Sequence, residues 1–170
     1  DTLQKVSLFT RPRRFGKTLT MDMLRTFFEK TDKDTSVYFK DKKIWACGER
    51  YQRHQGIYPV IFLTFKDLKY STWKDALLNI QALITKEYVR HEEVWYSSKC
   101  NDFDRKYCAD LINGSLDPSL LANSIAYLSE MLEKHWGIAP MIMIDEYDTP
   151  IQQGFMCGYY QKMIDFMRNL

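Results

Sequence analysis

An α/β fold built on a mainly parallel sheet is what this sequence predicts, and three features predict it. Two short apolar runs read as strands: residues 58–65, unbroken behind a proline and expected to be buried on both faces, and residues 141–144, which run directly into two acids. Segments with apolar residues at three- and four-residue spacing, the mark of amphipathic helices, flank and separate them. A β-rich run at residues 6–10 passes through a basic loop and Gly16-Lys17-Thr18 into one such segment, in the strand, loop, helix order of a parallel unit.

The first of these units carries the densest chemistry. Residues 6–18 read Val-Ser-Leu-Phe-Thr-Arg-Pro-Arg-Arg-Phe-Gly-Lys-Thr, and a helix is expected over residues 19–28, where Leu19, Met23 and Phe27 recur at four-residue spacing as a helix packed on a sheet would require. The first N–H groups of a helix lack internal partners and sit at the positive end of the helix dipole, so a phosphate can accept from them. Lys17 adds a mobile cation for the β- and γ-phosphates, and the Thr18 hydroxyl is placed to ligate Mg²⁺. This is a variant P-loop: the full pattern opens on glycine, and Arg11 stands at that position. Because Arg11 precedes Pro12, it is pushed toward extended backbone and away from the helical region. Arg11, Arg13, Arg14 and Lys17 put four positive charges within seven residues, which suits a polyanion. A solvated basic turn without a ligand is the plain structural alternative.

Composition sets the bounds. At 170 residues, 45% of them hydrophobic, the chain suits one domain with one sizeable core. With 24 basic and 22 acidic residues the net charge is +2, so the overall basic bias of a dedicated nucleic-acid binder is missing. Cys47, Cys100, Cys108 and Cys157 form no C-x-x-C pair, and His54, His91 and His135 do not complete a zinc pattern. Free thiols in a reducing, cytoplasmic setting are expected. No apolar run approaches the roughly 20 residues of a membrane span, and no signal-like segment opens the chain. The chain begins at Asp1 rather than methionine, and both ends are expected to continue into something longer.

Beyond the first helix, residues 37–58 show no clean period and are expected to form a loop with short helical turns. Residues 58–65 follow as a strand buried on both faces. Ser71 or Thr72 can cap a helix with Trp73, Leu77, Ile80, Ile84 and Tyr88 on one side. A polar connection over residues 90–117 is expected to hold a helix near residues 102–111. Asp117-Pro118 is a start signal, with Leu121, Ile125, Leu128 and Leu132 as the stripe and Gly137 as the C-terminal cap. Tyr159, Met163, Phe166 and Leu170 form a last stripe, expected to face the core and to run to the final residue.

Between those last two helices, Met141-Ile142-Met143-Ile144 runs directly into Asp145-Glu146. Two acids are costly inside a sheet but sensible at the carboxyl end of a strand, where α/β ligand crevices open. The pattern fits a Walker B strand, with Asp145 holding Mg²⁺ directly or through water and Glu146 orienting the attacking water. The structural alternative is that Asp145 or Asp148 caps the following turn, and Asp148 is read as a turn residue.

Taken together, Leu8-Phe9-Thr10-Arg11-Pro12-Arg13-Arg14-Phe15-Gly16-Lys17-Thr18, Ile144-Asp145-Glu146-Tyr147-Asp148-Thr149-Pro150-Ile151 and Gly158-Tyr159-Tyr160 resemble the predicted AAA-ATPase-like family of bacteria and some eukaryotes. The resemblance runs through the strand at residues 60–65 and so covers nearly the whole chain; Arg11 looks like this family's own form of the loop. It implies a P-loop NTPase three-layer α/β sandwich, with residues 1–170 as the N-terminal part of one such domain. A fourth strand bearing a polar sensor and a fifth strand would lie beyond Leu170. If the fourth is missing, a gap is expected between residues 6–10 and 141–145. Family members often carry a restriction-endonuclease-like nuclease domain downstream, which would be the route to nucleic acid.

The expected activity is Mg²⁺-dependent binding and hydrolysis of ATP. Arg13, Arg14, Phe15, Gly16, Lys17 and Thr18 are expected to hold the nucleotide, Thr18 and Asp145 the metal, and Lys17 and Glu146 to act in catalysis. An Asn-Lys-x-Asp sequence for reading guanine is missing. A homo-oligomer is compatible with the sequence and a membrane partner is not expected. The alternative is a nucleotide-gated regulatory module, or one associated with nucleic acid through its basic loop, with little intrinsic turnover.

Overall fold

Apolar and β-branched residues concentrate in two five-residue segments, and these are the strands: β1 (Val60–Thr64) and β2 (Met141–Asp145). The computed structural model describes residues 6–10 and 15–170. The strands pair in parallel, in a register that sets Val60 beside Met141, Phe62 beside Met143 and Thr64 beside Asp145. Parallel neighbours need a long crossover. Here it contains α4 (Trp73–Arg90), α5 (Asp102–Ile112), the short α6 (Pro118–Leu121) and α7 (Ser124–Trp136). Before β1 come α1 (Lys17–Phe28) and two single-turn helices, α2 (Lys43–Ala46) and α3 (Glu49–Gln52); after β2 come α8 (Asp148–Met156) and α9 (Tyr160–Asn169).

Local signals account for the helix ends. Thr72 caps α4 by accepting from the Asp75 N–H at 3.2 Å, and Asn101 and Asp104 form a reciprocal capping box at the start of α5. Asp117 accepts from the Ser119 N–H at 2.8 Å, with Pro118 in the first turn of α6. The predicted stripe from Leu121 to Leu132 is buried throughout, but it spans two helices, since the chain breaks after α6 and restarts at Ser124. Gly137 ends α7 at φ 73°, a conformation that costs glycine nothing.

Side chains alternate across β1. Ile61, Leu63 and Phe65 point into the main core with Ile80, Ile84 and Tyr88 of α4, Leu111 of α5, Leu128 and Leu132 of α7, and Met163 and Phe166 of α9. Phe62 points the other way, beneath α1, where the Arg25 guanidinium lies 5.1 Å from its ring centre. Helices thus cover both faces of the strand, as its unbroken apolar run requires. Buried tyrosines tie the helices together: the Tyr88 hydroxyl donates to the Ser124 carbonyl at 2.6 Å, and the Tyr107 hydroxyl lies 2.7 Å from Ser124 Oγ. Among the described residues, no helix is long and apolar enough to cross a membrane.

Three expectations need correction. Residues 6–10 form no strand; Val6, Leu8 and Phe9 are largely exposed, and no neighbouring strand among the described residues supplies the ladder that would hold them extended. The α1 stripe is also only partly used. Phe27 is buried against Phe39, whereas Leu19 and Met23 stay exposed because a sheet of two strands is too narrow to cover the whole helix. The final helix stops at Asn169, one residue short of the expected end.

Candidate functional site

The site begins with a backbone requirement. Gly16 sits at φ 69°, in the left-handed region, and turns the chain into α1 immediately before Lys17. A Cβ at this position would meet nothing within 4 Å among the described residues, and the demand for glycine comes from the positive φ. Among the described residues no side chain caps α1, and no acid occupies its first turn, so the positive end of its dipole is not countered within the helix. Thr20 fastens the turn by donating both its N–H and its hydroxyl to the Gly16 carbonyl, each at 2.9 Å.

Across from this helix start stands the carboxyl end of β2. The Thr18 hydroxyl donates to Asp145 Oδ2 at 2.7 Å, joining positions 127 apart in the chain. Asp145 is buried, 3% exposed, and its carbonyl also accepts from the Phe65 N–H at 3.0 Å, extending the link to β1 by one residue. Instead of capping the next turn, the Asp145 side chain crosses to α1. Lys17 is half-buried beside Thr18, and Phe15 is exposed. Arg11, Arg13 and Arg14 lie outside the described residues.

Glu146 follows Asp145 at φ 52°, the single non-glycine residue at positive φ among those described. For a residue with a Cβ that backbone costs about 1–2 kcal/mol. Its effect is to turn the chain from β2 into α8 within two residues. The Thr149 hydroxyl donates to Glu146 Oε2 at 3.3 Å and the Thr149 N–H to the Glu146 carbonyl at 3.1 Å, so the turn and the carboxylate are held by one residue. Asp148 is the first residue of α8, exposed, and accepts from Gln152 Nε2 at 3.0 Å; it serves the helix's first turn without capping it.

The structure therefore brings Thr18 and Asp145 into contact, with Lys17 and Glu146 as their chain neighbours. Sequence reasoning passed over two hydroxyls, those of Thr149 and of Thr64 at the end of β1. The signal for Thr64 was present, since it is the one hydroxyl near the end of an otherwise apolar run, and it stands level with Asp145 of the second strand.

The family model described as a predicted AAA-ATPase matches residues 1–170. No curated protein and no solved structure matches the chain.

Proposed function

Since the chain belongs to the predicted AAA-ATPase family, we propose that the cluster at the start of α1 and the end of β2 binds ATP with Mg²⁺ and hydrolyses it. The observation that carries this is the hydrogen bond between Thr18 and Asp145. A hydroxyl and a carboxylate are the hard oxygen donors Mg²⁺ takes, and ligands adjacent on an octahedron of roughly 2.1 Å radius stand about 3 Å apart. The 2.7 Å separation of these two oxygens fits that pairing. Bound there, Mg²⁺ would neutralise charge on the β- and γ-phosphate oxygens.

The remaining roles belong to the chain itself. The uncapped N–H groups of α1 would donate to phosphate oxygens, and the Lys17 ammonium would pair with the terminal phosphates. Arg13 and Arg14 would add charge at the loop. Glu146, held through Thr149, would accept a hydrogen bond from the attacking water and align it with the γ-phosphate. Asp145 and Glu146 thus divide the work, one on the metal and one on the water.

Replacing Glu146 with Gln separates these roles. The Glu146→Gln chain should bind ATP within about threefold of the parent while turnover falls on the order of 100-fold or more, the usual scale for losing a general base. Single-turnover hydrolysis and equilibrium binding, measured side by side, check this. Turnover at the parent rate would remove Glu146 from the mechanism.

A further inference from the structure

Thr64 ends β1 and pairs in register with Asp145. Side chains alternate along a strand, and register partners on parallel strands stand on the same face about 4.8 Å apart. Phe62, two residues earlier, packs under Arg25 of α1, and Asp145 receives the Thr18 hydroxyl from the same helix. Thr64 therefore stands on the α1 face, next to the carboxylate that Thr18 contacts.

Its hydroxyl is unlike the other threonine hydroxyls nearby. Thr18 donates to Asp145, Thr20 to the Gly16 carbonyl, Thr26 to the Asp22 carbonyl and Thr149 to Glu146. Thr64 Oγ1 is buried and has no hydrogen-bond partner among the described residues. Burying such a group unpaired is destabilising, and valine would fill the same volume on a strand without that cost. Stability alone does not account for an oxygen at this position.

Resting on the ATP-binding proposal above, we infer that Thr64 is a positioning residue whose hydroxyl hydrogen-bonds to a water on the cation that Thr18 and Asp145 would hold. Mg²⁺ binds few protein groups directly and keeps several waters, so a hydroxyl one strand away from a ligating carboxylate is a water's width from the ion. A threonine hydroxyl can both accept from such a water and donate onward, which satisfies it. The interaction exists only with metal and nucleotide present, so it acts on Mg²⁺-dependent affinity and not on folding.

The test compares the full chain with Thr64→Val and Thr64→Ser, measuring ATP affinity in Mg²⁺ and in chelator, together with the thermal midpoint without ligand. Thr64→Val should unfold at the same or a higher temperature and keep its affinity for ATP in chelator. Its affinity in Mg²⁺ should fall about tenfold, the scale of one well-placed hydrogen bond. Thr64→Ser should restore that affinity to within about threefold. Equal Mg²⁺-dependent affinity in Thr64→Val and the parent would overturn the inference while leaving the ATP site standing. So would a Thr64→Ser chain as weak as Thr64→Val, since the lost methyl would then be the cause. A parent chain whose ATP affinity ignores Mg²⁺ overturns both this inference and the function it rests on.

Discussion

Hydroxyls in this molecule divide into those that hold the fold and those that gather at the carboxyl ends of the strands. Tyr88 belongs to the first group: it is wholly buried, donates to the Ser124 carbonyl at 2.6 Å, and ties α4 to the first turn of α7. Burial pushes its phenol well above the ordinary tyrosine range, so it remains a neutral donor at any ordinary pH. Tyr88→Phe keeps the ring and removes that bond. Stability should fall by about 1 kcal/mol, seen as a lower urea midpoint at unchanged slope, with ATP affinity unaffected. Thr18 and Thr149 belong to the second group, because both spend their hydroxyls on the adjacent acids, Asp145 and Glu146.

Among the elements, the tightest electrostatic joint lies at the amino end of β1. Glu87, buried at the last turn of α4, accepts from the Phe62 N–H at 2.7 Å and from Arg90 Nε at 3.0 Å. Arg90 continues to Glu29 at the end of α1 and to the Val60 carbonyl. His91, also buried, has Nε2 3.0 Å from the Val60 carbonyl and 3.6 Å from Glu87, and Nδ1 3.1 Å from Glu93. Burial works against the charge of each partner but is outweighed. Glu87 and Glu93 raise His91 from 6.5 to about 9 despite Arg90, while His91, Arg90 and the Phe62 N–H lower Glu87 from 4.5 to about 2.

The sign of the pH dependence follows from these shifts. The His91 contribution is complete below about pH 6.5 and is lost as pH rises toward 9; the Glu87 contribution is complete above about pH 4.5 and is lost as pH falls toward 2. Both act fully between those limits. Unfolding free energy should therefore decline by about 3 kcal/mol from pH 6.5 to pH 9, as the His91 shift implies. A His91→Gln chain, less stable at pH 6, should lose most of that slope. A parent chain with flat stability over this interval would show that His91 is not held charged.

For the molecule as a whole, what was legible in the sequence follows how local the signal is. The helix starts at Thr72 and Asp117 and the stop at Gly137 could be read because a cap acts within three or four residues. β1 was readable because burial on both faces leaves an unbroken apolar run, and β2 because its four apolar residues run straight into two acids, although Ile142 stays exposed. Residues 6–10 have the same composition as a strand, yet a strand exists only through its neighbours, and β2 pairs with β1 alone among the described residues. That dependence on a partner far along the chain is invisible in five residues. The positive φ of Glu146 was hidden for a similar reason: glutamate does not advertise a left-handed turn, and the joint geometry of β2, α8 and Thr149 imposes it. At the candidate site, a hydroxyl at position 18 and a carboxylate at position 145 could be picked out as residue types, while their meeting across 127 positions is a property of the fold.

That meeting is where the functional account is most exposed, and the affinity of Asp145→Asn for ATP in Mg²⁺ and in chelator probes it most directly. The parent chain should bind ATP about tenfold or more tightly with Mg²⁺ than without, and Asp145→Asn should bind nearly equally in both, at the parent's chelator value. Full Mg²⁺ enhancement surviving in Asp145→Asn would contradict a metal held between α1 and β2.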